Sequence, residues 1–78
     1  MAPRLKNIPL KVMREYLSCK GLKIIRQKGG HEIWSGKSLA RPIVLQSHID
    51  PVPEFIVRNC LRTLGENPED FDRFVKQK

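Results

Sequence analysis

Apolar positions along this chain change their period several times, and each change marks a boundary. Leu10, Met13 and Leu17, with Val12 and Tyr16, recur at helical spacing, while Lys11, Arg14, Glu15 and Ser18 fall on the other side. The pattern predicts a helix that starts near Asn7 to Pro9, where a proline is tolerated in the first turn. Gly21 stops it, being suited to the left-handed position just past a helix end. The next run, 22–27, is too short for a second helix and holds the β-branched pair Ile24-Ile25, so it predicts strand one. Lys28-Gly29-Gly30 then reads as a tight turn, with glycines to supply positive φ angles. Strand two is expected over 31–35. Alternation places His31, Ile33 and Ser35 on one face, and Glu32 and Trp34 on the other. Residues 36–42 read as a looser connection, and strand three as 43 to 46 or 47.

Two prolines in Ile49-Asp50-Pro51-Val52-Pro53 mark a loop and a helix start. The second helix is expected over 53–64, with Ile56, Val57, Cys60, Leu61 and Leu64 as its apolar stripe and Gly65 as its end. A third, short helix follows within a C-terminal extension, 66–78. Asn67 is its cap, Pro68 its first residue, and Glu69 and Asp70 lie in its first turn. Its apolar positions are Phe71, Phe74 and Val75. No internal repeat is present, and residues 1–6 show no periodicity and read as a loose basic arm. The order α-β-β-β-α, plus the short extra helix, predicts an α+β fold. The simplest packing is a three-stranded antiparallel sheet with both main helices on one face. That is the outline of a double-stranded-RNA-binding domain, and an outline alone leaves function open.

The chain has 78 residues, read as one domain, 1–78, with a modest core. It has neither an apolar run long enough to span a bilayer nor a signal-peptide pattern, so no membrane partner and a cytoplasmic location are expected. Cys19 and Cys60 make no zinc spacing and are read as two buried or half-buried thiols, with a structural disulfide as the alternative. The formal net charge of +7 is unevenly spread. Residues 1–28 carry eight basic side chains against the single acid Glu15, whereas the chain from Ile49 onward carries five basic and six acidic ones. Nucleic acid is the natural partner of such a gradient, and a solvated basic face is the plain alternative.

The segment Arg26-Gln27-Lys28-Gly29-Gly30-His31 brings the charge to bear on chemistry. A histidine opens strand two with Arg26 and Lys28 close in sequence, which is a way to hold a phosphate beside a group that moves protons near pH 7. If strands two and three form a hairpin, Gln46-Ser47-His48 returns to the end where His31 starts, and the second helix begins a few residues later. Two histidines without a carboxylate cluster argue against a metal site, and no cofactor is implied. Plainer readings stand beside these. His48 before a proline-rich loop reads first as a turn residue, and Trp34 as a core anchor. Arg58 and Arg62, one turn apart, read as a solvated helix face.

These residues also resemble the HicA family of toxins from type II toxin–antitoxin systems, over most of the chain from Asn7 to Gly65. The likeness rests on Gly21-Leu22 and on Arg26-Gln27-Lys28-Gly29-Gly30-His31-Glu32-Ile33-Trp34. It continues in Gln46-Ser47-His48, where the family closes its third strand on Pro-x-His. It ends in Val57-Arg58-Asn59-Cys60-Leu61 followed by Gly65, where the family has a Leu-Arg-x-Ile-Leu-like run. Gly30 stands where the family has serine, and Gln46 where it has proline. The resemblance implies the double-stranded-RNA-binding type of fold and a ribonuclease that cleaves mRNA and stops translation. It implies a HicB-like antitoxin as partner and a single catalytic histidine, His31. Arg26, Lys28, Gly29, Gly30 and His48 are the residues expected to hold RNA. A non-catalytic RNA-binding module of the same fold is the other reading.

Overall fold

The computed structural model describes residues 4–37, 39 and 41–77. Its elements are α1 (Leu10–Cys19), β1 (Lys23–Lys28), β2 (His31–Ser35), β3 (Ile43–Gln46), α2 (Glu54–Leu64) and α3 (Pro68–Lys76). This is the expected α+β order, with boundaries moved by a residue or so.

Helix α1 buries Leu10, Met13, Tyr16 and Leu17, its predicted stripe. It carries no cap of its own, because Pro9 has no side-chain acceptor. Asp50 supplies one from far along the chain, accepting from the Leu10 N–H at 3.0 Å. At the other end Gly21 adopts φ +82°, and the Leu22 N–H reaches back to the Leu17 carbonyl at 3.1 Å. That turn sends the chain directly into β1.

The sheet has the order β1-β2-β3, antiparallel throughout. Gly29 and Gly30, at φ +55° and +82°, form the two-residue turn between β1 and β2. Two consecutive positive φ angles match the right-handed twist of the flanking strands. Because the glycines take both positions, Lys28 is not a turn residue as expected; it is the last residue of β1, paired with His31. The register slips between Ile24 and Arg26, leaving Ile25 as an extra residue in a bulge.

Across β2 and β3 one face of the sheet is buried. Trp34 pairs with Ile43 and Glu32 with Leu45, and all four are under a tenth exposed. Leu45 lies between Leu10 of α1 and Ile56 of α2, so both main helices cover this face. Phe71 and Val75 of α3 complete the core, and the Phe71 and Phe74 rings stand edge-on to Tyr16 at 4.7 and 5.2 Å.

Two expectations need correction. The arm expected to be loose over 1–6 is anchored from Arg4 onward, and residues 1–3 lie outside the described set. Leu5 is 3 % exposed, the Arg4 N–H donates to Asp72 at 3.0 Å, and Ile8 bridges to Val52. Two apolar side chains buried three residues apart hold this segment to the core. The cysteines are not alike either: both are free, Cys60 is buried, and Cys19 is exposed beyond the apolar stripe of α1.

Candidate nucleic-acid interface

The site is built on the face of the sheet that the helices leave open. In an antiparallel sheet, directly paired residues point the same way and neighbours along a strand alternate. His31 pairs with Lys28 on one side and with Gln46 on the other. These three make one row across the sheet. The next row is Arg26, Ile33 and Val44, and beyond it Lys23 pairs with Ser35. Lys23, Arg26, Lys28 and His31 are all exposed. Ile25 lines a shallow depression on this side together with Lys23 and Ser35.

Among the described residues, the strands bring no acid to this face. The only carboxylate in the three strands is Glu32, which points into the core and is 2 % exposed. Arg14 grips it with two hydrogen bonds, one of them 3.2 Å from Nε to Oε1, and the Trp34 indole donates to the same oxygen at 3.2 Å. The hydrogen bonds to Glu32 hold the Arg14 pKa above its ordinary value, against the opposing effect of burial. Arg14 shares the outward side of α1 with Lys11, Glu15 and Ser18, as its place in the helical pattern suggested, but it is not free in solvent, because its guanidinium reaches Glu32. Among the described residues, Lys23, Arg26 and Lys28 enter no ion pair.

The end of β3 folds over the glycine turn. Gln46 closes a turn by accepting from the Ile49 N–H at 3.3 Å, so β3 stops there and His48 sits in the turn, not in the strand. Ser47 holds the Gly30 carbonyl twice, through its N–H at 2.7 Å and its hydroxyl at 3.0 Å. The His48 ring then lies against Gly30, where a side-chain carbon would stand only 2.9 Å from Nδ1. The two histidines thus reach the same end of the molecule. His31 arrives by register and His48 by packing on the residue before it.

A scan of protein-family models, a search of curated proteins and a search of solved structures each gave no match. The candidate site therefore rests on its own geometry. All six residues expected there are at this end of the sheet: Arg26, Lys28, Gly29, Gly30, His31 and His48. The helix start expected at this end is there, with Pro53 and Gln46 lining one small cavity, but it is not turned to the open face. α2 lies on the buried side of the sheet, and its first turn already holds Glu54, which accepts from Arg58 at 2.9 Å and faces Lys6 at 3.9 Å. Two contributors were missed. Lys23 joins the face because the bulge at Ile25 restores the alternation that a plain strand would break. Ser47 fixes the glycine turn. A serine after a strand is too common to have signalled that role. Among the described residues, no three His, Cys, Asp or Glu side chains are grouped so as to hold a metal ion, and no helix is long and apolar enough to cross a membrane.

Proposed function

We propose that this chain is a metal-independent endoribonuclease of the HicA kind, the toxin of a type II toxin–antitoxin pair that cleaves mRNA in the cytoplasm. The observation that carries the reading is the row Lys28–His31–Gln46 beside Arg26, on a sheet face to which the strands, among the described residues, bring no acid.

RNA supplies its own nucleophile. The ribose 2′-oxygen attacks the adjacent phosphorus while a base removes its proton, and the bond to the 5′-oxygen of the next nucleotide breaks as that oxygen gains a proton. His31 is assigned to proton transfer. Lys28, directly across the strand pair, and Arg26, one row away, are assigned to the phosphate and the charge that builds on its oxygens. Gly29 and Gly30 let the backbone approach RNA closely, and His48 binds beside them. The products are a 2′,3′-cyclic phosphate and a 5′-hydroxyl. A HicB-like antitoxin is the protein partner under this reading.

One observation favours a second reading, an RNA-binding module of the same fold without turnover. Among the described residues the His31 side chain has no hydrogen-bond partner to orient it, whereas catalytic bases are commonly held by a third group. The two readings separate in one experiment. Protein and its His31→Ala variant are incubated with end-labelled RNA in EDTA, and the product ends are analysed. Cleavage by the unaltered protein alone, leaving cyclic phosphate, is the expected result. Equal, salt-sensitive binding with no cleavage by either protein overturns the enzyme reading and leaves the module.

A further inference from the structure

The two edges of the sheet are built differently. β1 forms one edge and carries Lys23, Arg26, Lys28 and the bulge at Ile25. Charges and bulges are the devices that keep an edge from pairing with another strand. β3 forms the other edge and reads Ile43-Val44-Leu45-Gln46, without a charge and with unbroken register to β2. Among the described residues, Ile43, Val44 and Leu45 make no backbone hydrogen bond beyond the sheet. This edge is unguarded.

Helix α2 extends over the space beside it. A groove of about 250 Å³ separates the β3 edge from the helix, lined by Ile43 and Val44 on one wall and by Ile56, Asn59 and Thr63 on the other. At helical spacing, Phe55 and Arg62 flank Asn59 on the side turned away from Cys60 and the core. Phe55 is 63 % exposed and Val44 43 %. The side of α2 that carries Ile56, Asn59 and Thr63 therefore borders the place where the next strand would lie, with the exposed Phe55 next to it.

Charge selects what fits there. Arg41 precedes Pro42 at one end of the groove, Arg62 precedes Thr63 at the same end, and neither enters an ion pair among the described residues. Glu54, the only acid of α2, is already engaged by Arg58. A second copy would set one chain of net charge +7 against another. An acidic segment complements both arginines.

We propose that the β3 edge and the α2 groove dock an extended segment of a partner protein, apolar at alternate positions and acidic at one end, which adds to the sheet as a fourth strand. Main-chain hydrogen bonds along the edge hold it. Its helix-side side chain fills the groove and covers Phe55, and its acid meets Arg62 and Arg41. The side chain that fills the groove points to the helix side of the sheet, whereas the segment's alternate side chains lie beside Val44 on the open face, one row from His31.

The test selects random decapeptides displayed on phage against the immobilised full chain, then titrates the enriched sequence, as a synthetic peptide, into isotope-labelled protein. Enrichment of alternating Val, Ile or Leu with Asp or Glu is expected, with amide shifts confined to Ile43–Gln46 and the groove side of α2, Ile56, Asn59 and Thr63 with Arg62 beside them. Arg62→Glu, at an exposed and unpaired position, weakens binding by about tenfold. Lys23→Glu on the opposite edge leaves it unchanged. The proposal is overturned if nothing is enriched, if the selected sequences lack acids, or if the shifts fall on β1. Shifts at β3 that grow with protein concentration alone overturn it too, because a second copy would then occupy the edge.

Discussion

Gly30 joins backbone shape to side-chain placement at a single carbon. Its φ of +82° is a conformation that costs a residue with a Cβ about 1–2 kcal/mol. The His48 ring beside it adds a collision, but His48 is exposed and can swing aside, so the backbone term dominates. Gly30→Ala should lower unfolding stability in urea by about 1–2 kcal/mol and shift the His48 ring signals in NMR spectra. A serine in this turn would meet the same strain. The thiols make a second contrast at this scale. Burial pushes the Cys60 pKa up to about 12, whereas Cys19 is exposed. A thiol reagent at neutral pH should label one cysteine at once and the other only as denaturant opens the core, since thiolate is the reactive form. His31 and Lys28 stood out in the sequence as an imidazole and an ammonium beside a glycine turn, and the structure pairs them directly across it. Arg14 was not legible. Its partner Glu32 lies on another element, and no local pattern joins a helix position to a strand 18 residues on.

Periodicity located the helices, β2 and β3 well because each buries one face, whereas β1, exposed along its whole length, was found from its β-branched pair and the glycines that flank it. It said nothing of the clips between elements, which are single polar contacts over long separations. Asp50 caps α1, and Asp72 of α3 accepts from the Arg4 N–H and is approached by Lys76 at 3.1 Å. The Arg4 hydrogen bond, followed by Lys76, holds the Asp72 pKa below its ordinary value. A carboxyl depressed in the folded state contributes stability above its unfolded pKa, near 4, and that contribution is lost as pH falls through the lower, folded value. Acid titration should therefore release the N-terminal segment from α3 below about pH 4, seen as faster amide exchange at Arg4 and Leu5. Asp72→Asn should remove that pH dependence. The sign is opposite for any mechanism in which the segment is held by a protonated partner.

At the scale of the whole molecule, charge is sorted by place. Cations line β1 and the open sheet face, while Glu66, Glu69, Asp70 and Asp72 collect at and just before α3. A polyanion bound on the open face displaces counterions in proportion to the phosphates it brings into contact. For single-stranded RNA, Arg26→Ala and Lys28→Ala should each flatten the slope of log affinity against log salt by about 0.7, and the double variant by roughly twice that. A filter-binding series over salt concentration measures it. Glu66→Gln, outside the face, should leave the slope unchanged. The uneven charge and the two faces of β2 were visible from the sequence, but the faces of β1 were not, since the bulge at Ile25 decides which way Lys23 points relative to Arg26.

The buried carboxylate of β2 has a meaning beyond its own hydrogen bonds. His31 and Glu32 are neighbours, one turned outward among cations and the other inward to Arg14 and Trp34. Sliding β2 by one residue would exchange them, stranding a carboxylate on the cationic face and driving an imidazole into the core. Arg14 and the indole accept only one of the two arrangements. They act as a key to alignment, so the same grip that neutralises a buried charge also guarantees that the opposite surface of the strand is the one that offers a histidine.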